Sequence, residues 1–369
     1  MEPRLLNRGF LCYLFNDCYF SFTDPFSSDH FNMKRISLKD IAKIVGASPS
    51  TVSFVLNGKA SEMRISSRLA EKIMKVAKKE NYQPNNVAVS LRTGKSKIIG
   101  LVVDTISGNF FASLARIIES EAEQFGYKVI YCSTGNEITK ARELLGMLYQ
   151  YHVDGYLIIP TEGLEKEIEN LSLNKKPLVL MDSYFSGTKL PYVLVNNYQG
   201  VSLAVKHLVE KGYRKIGFVC NDIPLIQMQE RKRGYIETLQ SNKIAFNKRL
   251  LLETRYANTK EEIVECIMSF IKKNNPEAIV FAANYLGVYG LESIKSLNLA
   301  IPKDIAIVCF DDHEIFRLFS PSITSIQQPV EAIAKIAIQL LMEQLGKIEL
   351  KEKITQVEVS PVFLLRNST

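Results

Sequence analysis

The chain of 369 residues has no tryptophan and only four histidines, His30, His152, His207 and His313, and no two of these share a metal-ligand spacing. The six cysteines, Cys12, Cys18, Cys132, Cys220, Cys266 and Cys309, are scattered without a C-x-x-C pair. That spacing argues against zinc ribbons and disulfide scaffolds and suits buried thiols in a reducing compartment such as the cytoplasm. No apolar run reaches the roughly 18 residues a membrane span requires. The nucleotide-cradling G-x-x-x-x-G-K-[ST], the nucleophile elbow G-x-S-x-G, the zinc-protease H-E-x-x-H and the dinucleotide turn G-x-G-x-x-G are all missing. These absences count against metal and cofactor sites and against the common hydrolases and dehydrogenases.

What is present is an uneven charge. The net +7 arises in one short stretch: residues 34–97 carry fourteen Lys/Arg against four Asp/Glu, whereas residues 98–369 are balanced to −1 and residues 1–33 to −2. Such asymmetry points to a polyanionic partner. A hydrophobic content of 46% supports a real core, and the length suggests about two domains plus a small one at roughly 150 residues each. Residues 1–32 are rich in aromatics without periodicity. Their apolar run GFLCYLF ends at Asn16-Asp17 with no small-residue cleavage site, so a secretory signal is not read there. Met33 opens MKRISLKD, and residues 1–32 are expected to be a non-native extension.

The basic stretch opens with SLKDIAKIVGASPSTVSFVLNG, residues 37–58. Leu38, Ile41, Ala42 and Val45 recur at helical spacing. Ser37 and Asp40 are placed to cap that helix, and Gly46 ends it. Ser48 caps again, Pro49 sits at the first helical position, and Val52, Val55 and Leu56 form the inward stripe up to Asn57-Gly58. A third pattern starts at Ser66, with Leu69, Ile73, Val76 and Ala77 on one face. Two helices joined by so tight a corner, with a third beneath them, make a helix-turn-helix unit over residues 33–82. The tight corner holds the second helix rigidly enough to enter a major groove. Its outward positions are Ser48, Pro49, Ser50, Thr51, Ser53 and Phe54. An ordinary helical hairpin would share the spacing, but not the caps and the local charge together. Residues 83–97 then read as a linker with a short helix before Gly94, too short to be stable alone.

From residue 98 strands and helices alternate: IIGLVVD, FFASLARIIESEAEQFG, YKVIYCS, ITKARELLGMLYQYH, VDGYLIIP and onward to IAIVCFDD. The pattern predicts an α/β body with parallel sheets in two lobes and a cleft between them, ligands being expected at the strand carboxyl ends.

The segment from Ser37 onward resembles the lac and purine repressor family of bacterial transcription factors. The likeness rests on DIA, G-x-S, TVS, the closing Asn57, Tyr82 in Y-x-P-N, and V-A-x-x-L, and extends over most of the chain beyond Met33. It implies a homodimer on a near-palindromic double-stranded DNA operator, with Asn57, Tyr82, Asn85 and Ala88 at the DNA and Leu91, beside Arg92, wedged into the minor groove. It also implies a periplasmic-binding-protein-like body with an effector, a sugar or nucleobase, in its cleft. Phe110 and Phe111 match the aromatic pair lining the pocket in purine repressors, although they could equally cap the core. Arg231 matches the effector arginine and Asp311 the carboxylate taking ligand hydroxyls, with Tyr256 and Asn284 as further candidates. The chain departs from the family at Phe54, where a polar or basic side chain is common. It departs also at Asn196 and at Asn284-Tyr285, where carboxylates are common, and in KASEMRIS (59–66), which is longer than usual. A sugar-binding protein without a regulatory role, or a sugar- or nucleoside-processing enzyme, would share the two-lobed body. The basic head counts against the first, and the lack of a convincing acid–base pair against the second.

Overall fold

The computed structural model describes residues 36–83, 89–90, 93–105, 109–351 and 354–369. The expected extension 1–32 and the residues Asn85, Ala88, Leu91 and Arg92 of the expected hinge lie outside them. The chain forms two compact units, one up to Gln83 and one from Val89 onward among the described residues.

The first unit holds α1 (Leu38–Val45), α2 (Pro49–Leu56) and α3 (Ser67–Lys79). Local rules set each boundary. The Ser37 N–H donates to Asp40 Oδ2 at 2.8 Å while Asp40 N–H donates to Ser37 Oγ at 3.3 Å, a reciprocal cap. Gly46 takes the left-handed conformation that stops α1, at φ 74°. Ser48 Oγ accepts from Thr51 N–H at 3.1 Å, and Ser66 caps α3. The three helices bury Ile41, Ala42, Val45, Val52, Val55, Ile73 and Ala77 against one another. Lys72 Nζ donates to the Val45 carbonyl at 3.1 Å, a cation at the negative end of α1. The long 59–66 stretch folds into a turn. Ile65 N–H donates to Ala60 O at 2.9 Å, and both side chains pack on the helical core, so the extra length is absorbed locally.

The second unit contains two six-stranded sheets. Lobe one is built from β1 (Ile98–Val103), β2 (Lys128–Ser133), β3 (Gly155–Ile158), β4 (Leu178–Met181), β5 (Tyr192–Val195) and β11 (Gln356–Val359), ordered β11-β5-β4-β3-β1-β2 and parallel throughout. Lobe two is built from β6 (Ile216–Asn221), β7 (Leu251–Thr254), β8 (Ala278–Phe281), β9 (Ala306–Phe310), β10 (Thr324–Gln327) and β12 (Val362–Leu364), ordered β12-β10-β9-β8-β6-β7, with only β12 antiparallel. Helices α4 (Asn109–Gln124), α5 (Ile138–Gln150) and α6 (Glu165–Leu173) belong to lobe one. Helices α7 (Asn197–Glu210), α8 (Ile226–Ser241), α9 (Lys260–Asn274), α10 (Asn284–Ser296) and α11 (Glu314–Leu318) belong to lobe two, and α12 (Val330–Gln344) returns to lobe one against α4 and β3–β5. The chain therefore passes between the lobes after β5, after β10 and after β11.

The central strands, β1, β6 and β9 among them, are buried because helices cover both faces, which is why they read as unbroken apolar runs. The run RLLLET reads in sequence as one strand, but Lys248–Leu250 form a 3-10 turn and the strand starts at Leu251. Helix α12 buries Ile333, Ala334, Ala337, Ile338, Leu340, Leu341 and Met342 and leaves Glu331, Lys335 and Gln339 exposed. Between α7 and α8 the backbones approach so closely that a Cβ on Gly234 would lie 2.6 Å from the Tyr198 carbonyl oxygen.

Candidate effector cleft and DNA-binding face

On the helix-turn-helix head, Ser48, Pro49, Ser50 and Asn57 are exposed, while Thr51, Ser53 and Phe54 are half-buried. The Thr51 hydroxyl hydrogen-bonds the Ser48 hydroxyl at 2.8 Å. Asn57 Nδ2 donates back to the Ser53 carbonyl at 2.6 Å, closing the last turn of α2. Tyr82 packs on the helical core, and burial raises its phenol above the ordinary range. Helix α2 itself carries no charged side chain. The cations lie around it: Lys39, Lys43, Lys59, Arg64, Arg68, Lys72, Lys75, Lys78 and Lys79 are all exposed. Among the described residues of this unit only Lys59 has a carboxylate within ion-pair range, Glu62 at 3.9 Å. A surface so charged and so little neutralised from within suits phosphates.

In the second unit the polar residues gather where the strands end. Asp104 follows β1, Asp182 and Ser183 follow β4, Tyr256 follows β7, Tyr285 opens α10 after β8, Asp311 follows β9, and Gln328 follows β10. Arg231 is 4% exposed. Its Nε donates to Asn197 Oδ1 at 2.7 Å and its Nη1 to the Ala282 carbonyl at 2.6 Å. Its guanidinium lies over the Phe310 ring at 3.7 Å, with Asp311 Oδ2 3.7 Å from Nη1, beyond hydrogen-bond range. Gln328 Nε2 donates to Asp311 Oδ1 at 2.6 Å. From lobe two to lobe one, the Tyr256 hydroxyl donates to Asp104 Oδ2 at 2.7 Å, and Gln227 Nε2 lies 3.5 Å from Asp182 Oδ2.

Burial shifts these groups. It raises Asp104, with the Tyr256 hydrogen bond opposing. It lifts Asp182 to about 6, Arg231 opposing while Asp311 and Asp104 add to the rise. It raises Asp311 against the pull of Arg231 and Gln328. Asp182 and Asp311 both hold left-handed backbone, at φ 59° and 67°, a conformation uncommon outside glycine and often found at functional sites. Four acceptor atoms here are buried without a partner among the described residues: Asp104 Oδ1, Ser183 Oγ, Gln227 Oε1 and Gln328 Oε1. A cavity of about 600 Å³ opens on Phe110, Ser113, Asp311 and Gln328.

Among the candidates read from the sequence, Arg231, Tyr256 and Asp311 lie in this network. Phe110 and Phe111 meet edge to face at 5.1 Å and both pack against the core, with Phe110 on the cavity wall. Asn284 is local: its Oδ1 accepts from Tyr285 N–H at 2.7 Å, and it is the Tyr285 hydroxyl that accepts from Asn221 in the cleft. Asn196 caps α7, its Oδ1 accepting from Gln199 N–H at 2.8 Å. Asp104, Asp182, Asn197, Gln227 and Gln328 were not singled out by sequence. The available signal was that Asp104 and Asp182 end the buried runs VVD and LVLMDS.

Residues 37–85 match the model of bacterial regulatory proteins of the lacI family, and residues 205–369 match the periplasmic binding protein-like domain. A ribose operon repressor from Haemophilus influenzae is 30% identical over 333 residues, covering 90% of this chain and 98% of that protein. This chain belongs to the lacI family. It is an allosterically controlled DNA-binding transcriptional repressor. The transcriptional repressor PurR of Vibrio vulnificus is also 30% identical, over 335 residues and 90% of this chain. The lac repressor dimer bound to operator and an anti-inducer shares the fold, with a TM-score of 0.79 at 21% identity over 91% of this chain and 99% of that one. So does the regulator CelR in complex with cellobiose, with a TM-score of 0.68 at 21% identity over 91% of this chain and 100% of that one.

Proposed function

We propose that this lacI-family member acts in the cytoplasm as a homodimer on a near-palindromic operator and releases or tightens its hold when a sugar-like molecule occupies the interlobe cleft. The observation carrying this reading is the set of unpartnered buried acceptors among Asp104, Ser183, Gln227 and Gln328. Buried polar atoms are normally satisfied, and a ligand rich in hydroxyl donors supplies what they lack. The names of a ribose operon repressor and of a cellobiose complex among the similar proteins support the ligand class. Closure on the ligand alters the relation of the two lobes, and a coupling of roughly 1–3 kcal/mol is typical of such control. Catalysis is not part of the proposal. The half-buried Phe54 suits contact with a thymine methyl better than a bidentate bond to guanine, so the operator is expected to differ from sites read by polar side chains there.

The test is to sequence genomic DNA fragments retained by the purified full-length protein at moderate salt, with and without a small-molecule extract. A few enriched near-palindromes whose retention changes with extract support the reading. Uniform retention of all fragments under both conditions refutes it. A Leu91→Ala variant is expected to lose specific binding much more than non-specific binding, and equal loss of both would remove the wedge from the account.

A further inference from the structure

Resting on the reading of the cleft as the effector site, we infer that the effector is a cationic polyol: a hydroxyl-bearing molecule with a protonated amine or guanidine, received by Asp104, Asp182 and Asp311. The argument is one of charge. Among the described residues the site gathers three carboxylates around one buried cation, Arg231. That cation's short hydrogen bonds go to neutral partners, Asn197 and the Ala282 carbonyl, and its nearest carboxylate contact is 3.7 Å. Other nearby cations are engaged elsewhere or lie at the edge. Arg366 forks onto Asp312 at 2.7 and 2.8 Å, Arg233 is held by Glu230 and Glu237, and Arg317 is exposed on the cavity rim beside Glu314. Arg231 therefore compensates only part of the charge of the three carboxylates.

Excess buried negative charge is costly, and the hydroxyls of a neutral sugar offset less of that cost than a cation does. A protonated nitrogen removes it and forms the stronger, charge-assisted bonds. The orphaned acceptors agree with this independently of the acids: Ser183 is fully buried and Gln328 is 4% exposed, and each presents an unpartnered oxygen beside an aspartate of the cluster. The unpartnered buried atoms here are oxygens, with no N–H donor among them, which disfavours phosphates and carboxylates. Among the described residues no group of three acidic, histidine or cysteine side chains is placed to hold a metal ion, which favours an organic cation.

The experiment separates a small-molecule cell extract at pH 7 into cation-exchange-retained, anion-exchange-retained and unretained fractions. Each is tested for a thermal shift of the full-length protein and of its Asp104→Asn/Asp182→Asn variant. The expected result is a shift from the cation-retained fraction alone, with the half-saturating amount of that fraction rising about 10- to 100-fold in the variant. A shift from the unretained or anion-retained fraction overturns the cationic assignment and leaves the ligand-controlled repressor standing. A cation-retained shift of equal strength in both proteins overturns the role of the carboxylates. If no fraction shifts the wild type, the effector-cleft reading itself falls. The wild-type result does not depend on whether the variant folds, and the variant's melting temperature without any fraction reports that directly.

Discussion

The Tyr256 hydroxyl donates to Asp104 Oδ2 at 2.7 Å across 152 residues of sequence, and so ties lobe two to lobe one at the mouth of the cleft. Tyr256 is 37% exposed, which places the bond toward the weaker end for one with a charged acceptor, about 1–2 kcal/mol. Tyr256→Phe is expected to shift the lobes of the ligand-free protein toward a more open population by roughly 5- to 30-fold. Small-angle scattering reads this as a larger radius of gyration. Superimposable profiles for variant and wild type would show that the bond does not hold the lobes.

The Asp182 carboxyl makes stability depend on pH. Its folded value, about 6, exceeds the ordinary 3.8, so the folded protein binds more protons than the unfolded chain between those values. Stability from this group is therefore greatest below pH 4 and falls as pH rises through 6. The displacement corresponds to roughly 3 kcal/mol. Asp182→Asn should differ little from wild type at pH 4.5 and be clearly more stable at pH 7.5. Urea denaturation at the two pH values measures it, and a constant difference would contradict the assignment.

Arg231 spends its hydrogen bonds on holding Asn197 at the start of α7 to the Ala282 carbonyl after β8. Arg231→Lys keeps the charge but loses the planar fork. We expect a loss of about 2–3 kcal/mol of stability together with weaker effector response. A variant that lost only the ligand response, with unchanged denaturation, would reassign Arg231 from a buried strut to a purely ligand-facing group.

Gly234→Ala tests the close approach of α7 and α8. The new methyl would meet backbone, the Tyr198 carbonyl oxygen at 2.6 Å, which cannot swing aside as a side chain can. A destabilisation of about 1–3 kcal/mol or more is expected. Neighbouring Gln229, on the same helix, serves as a control position at which alanine should cost little.

The head was legible because its information is local. Ser37, Asp40, Gly46, Ser48 and Pro49 each set a helix boundary within four residues of themselves. The strand runs of the body were legible because burial on both faces makes them continuously apolar. Helix α12 was not singled out, although Glu331, Lys335 and Gln339 recur every four residues as its exposed stripe, and β10, four residues with two hydroxyls, resembles a loop. The cleft was only partly legible. Asp311, Tyr256 and Arg231 came from resemblance to the lac and purine repressor family, whereas Asp104 and Asp182 look in sequence like ordinary strand-end polar residues. What distinguishes them is a relation between strands more than seventy residues apart, to which no local pattern points. Asn284 was preferred over Tyr285 on resemblance, yet the aromatic hydroxyl is the one that reaches Asn221.

The return of α12 and β11 to lobe one bears on how a ribosome makes this protein. Lobe one begins first but waits on most of lobe two: β1 to β5 emerge, then most of lobe two, and only afterwards the helix whose Leu341 lies against Gly155 of β3. During that interval the nascent first sheet has one face uncovered and its β5 edge unpaired, while lobe two lacks only β12 and the C-terminal residues beyond it. A pause or truncation before residue 330 would thus leave a nearly finished second lobe attached to an open, adhesive first one, and translation speed over residues 197–359 becomes a determinant of yield.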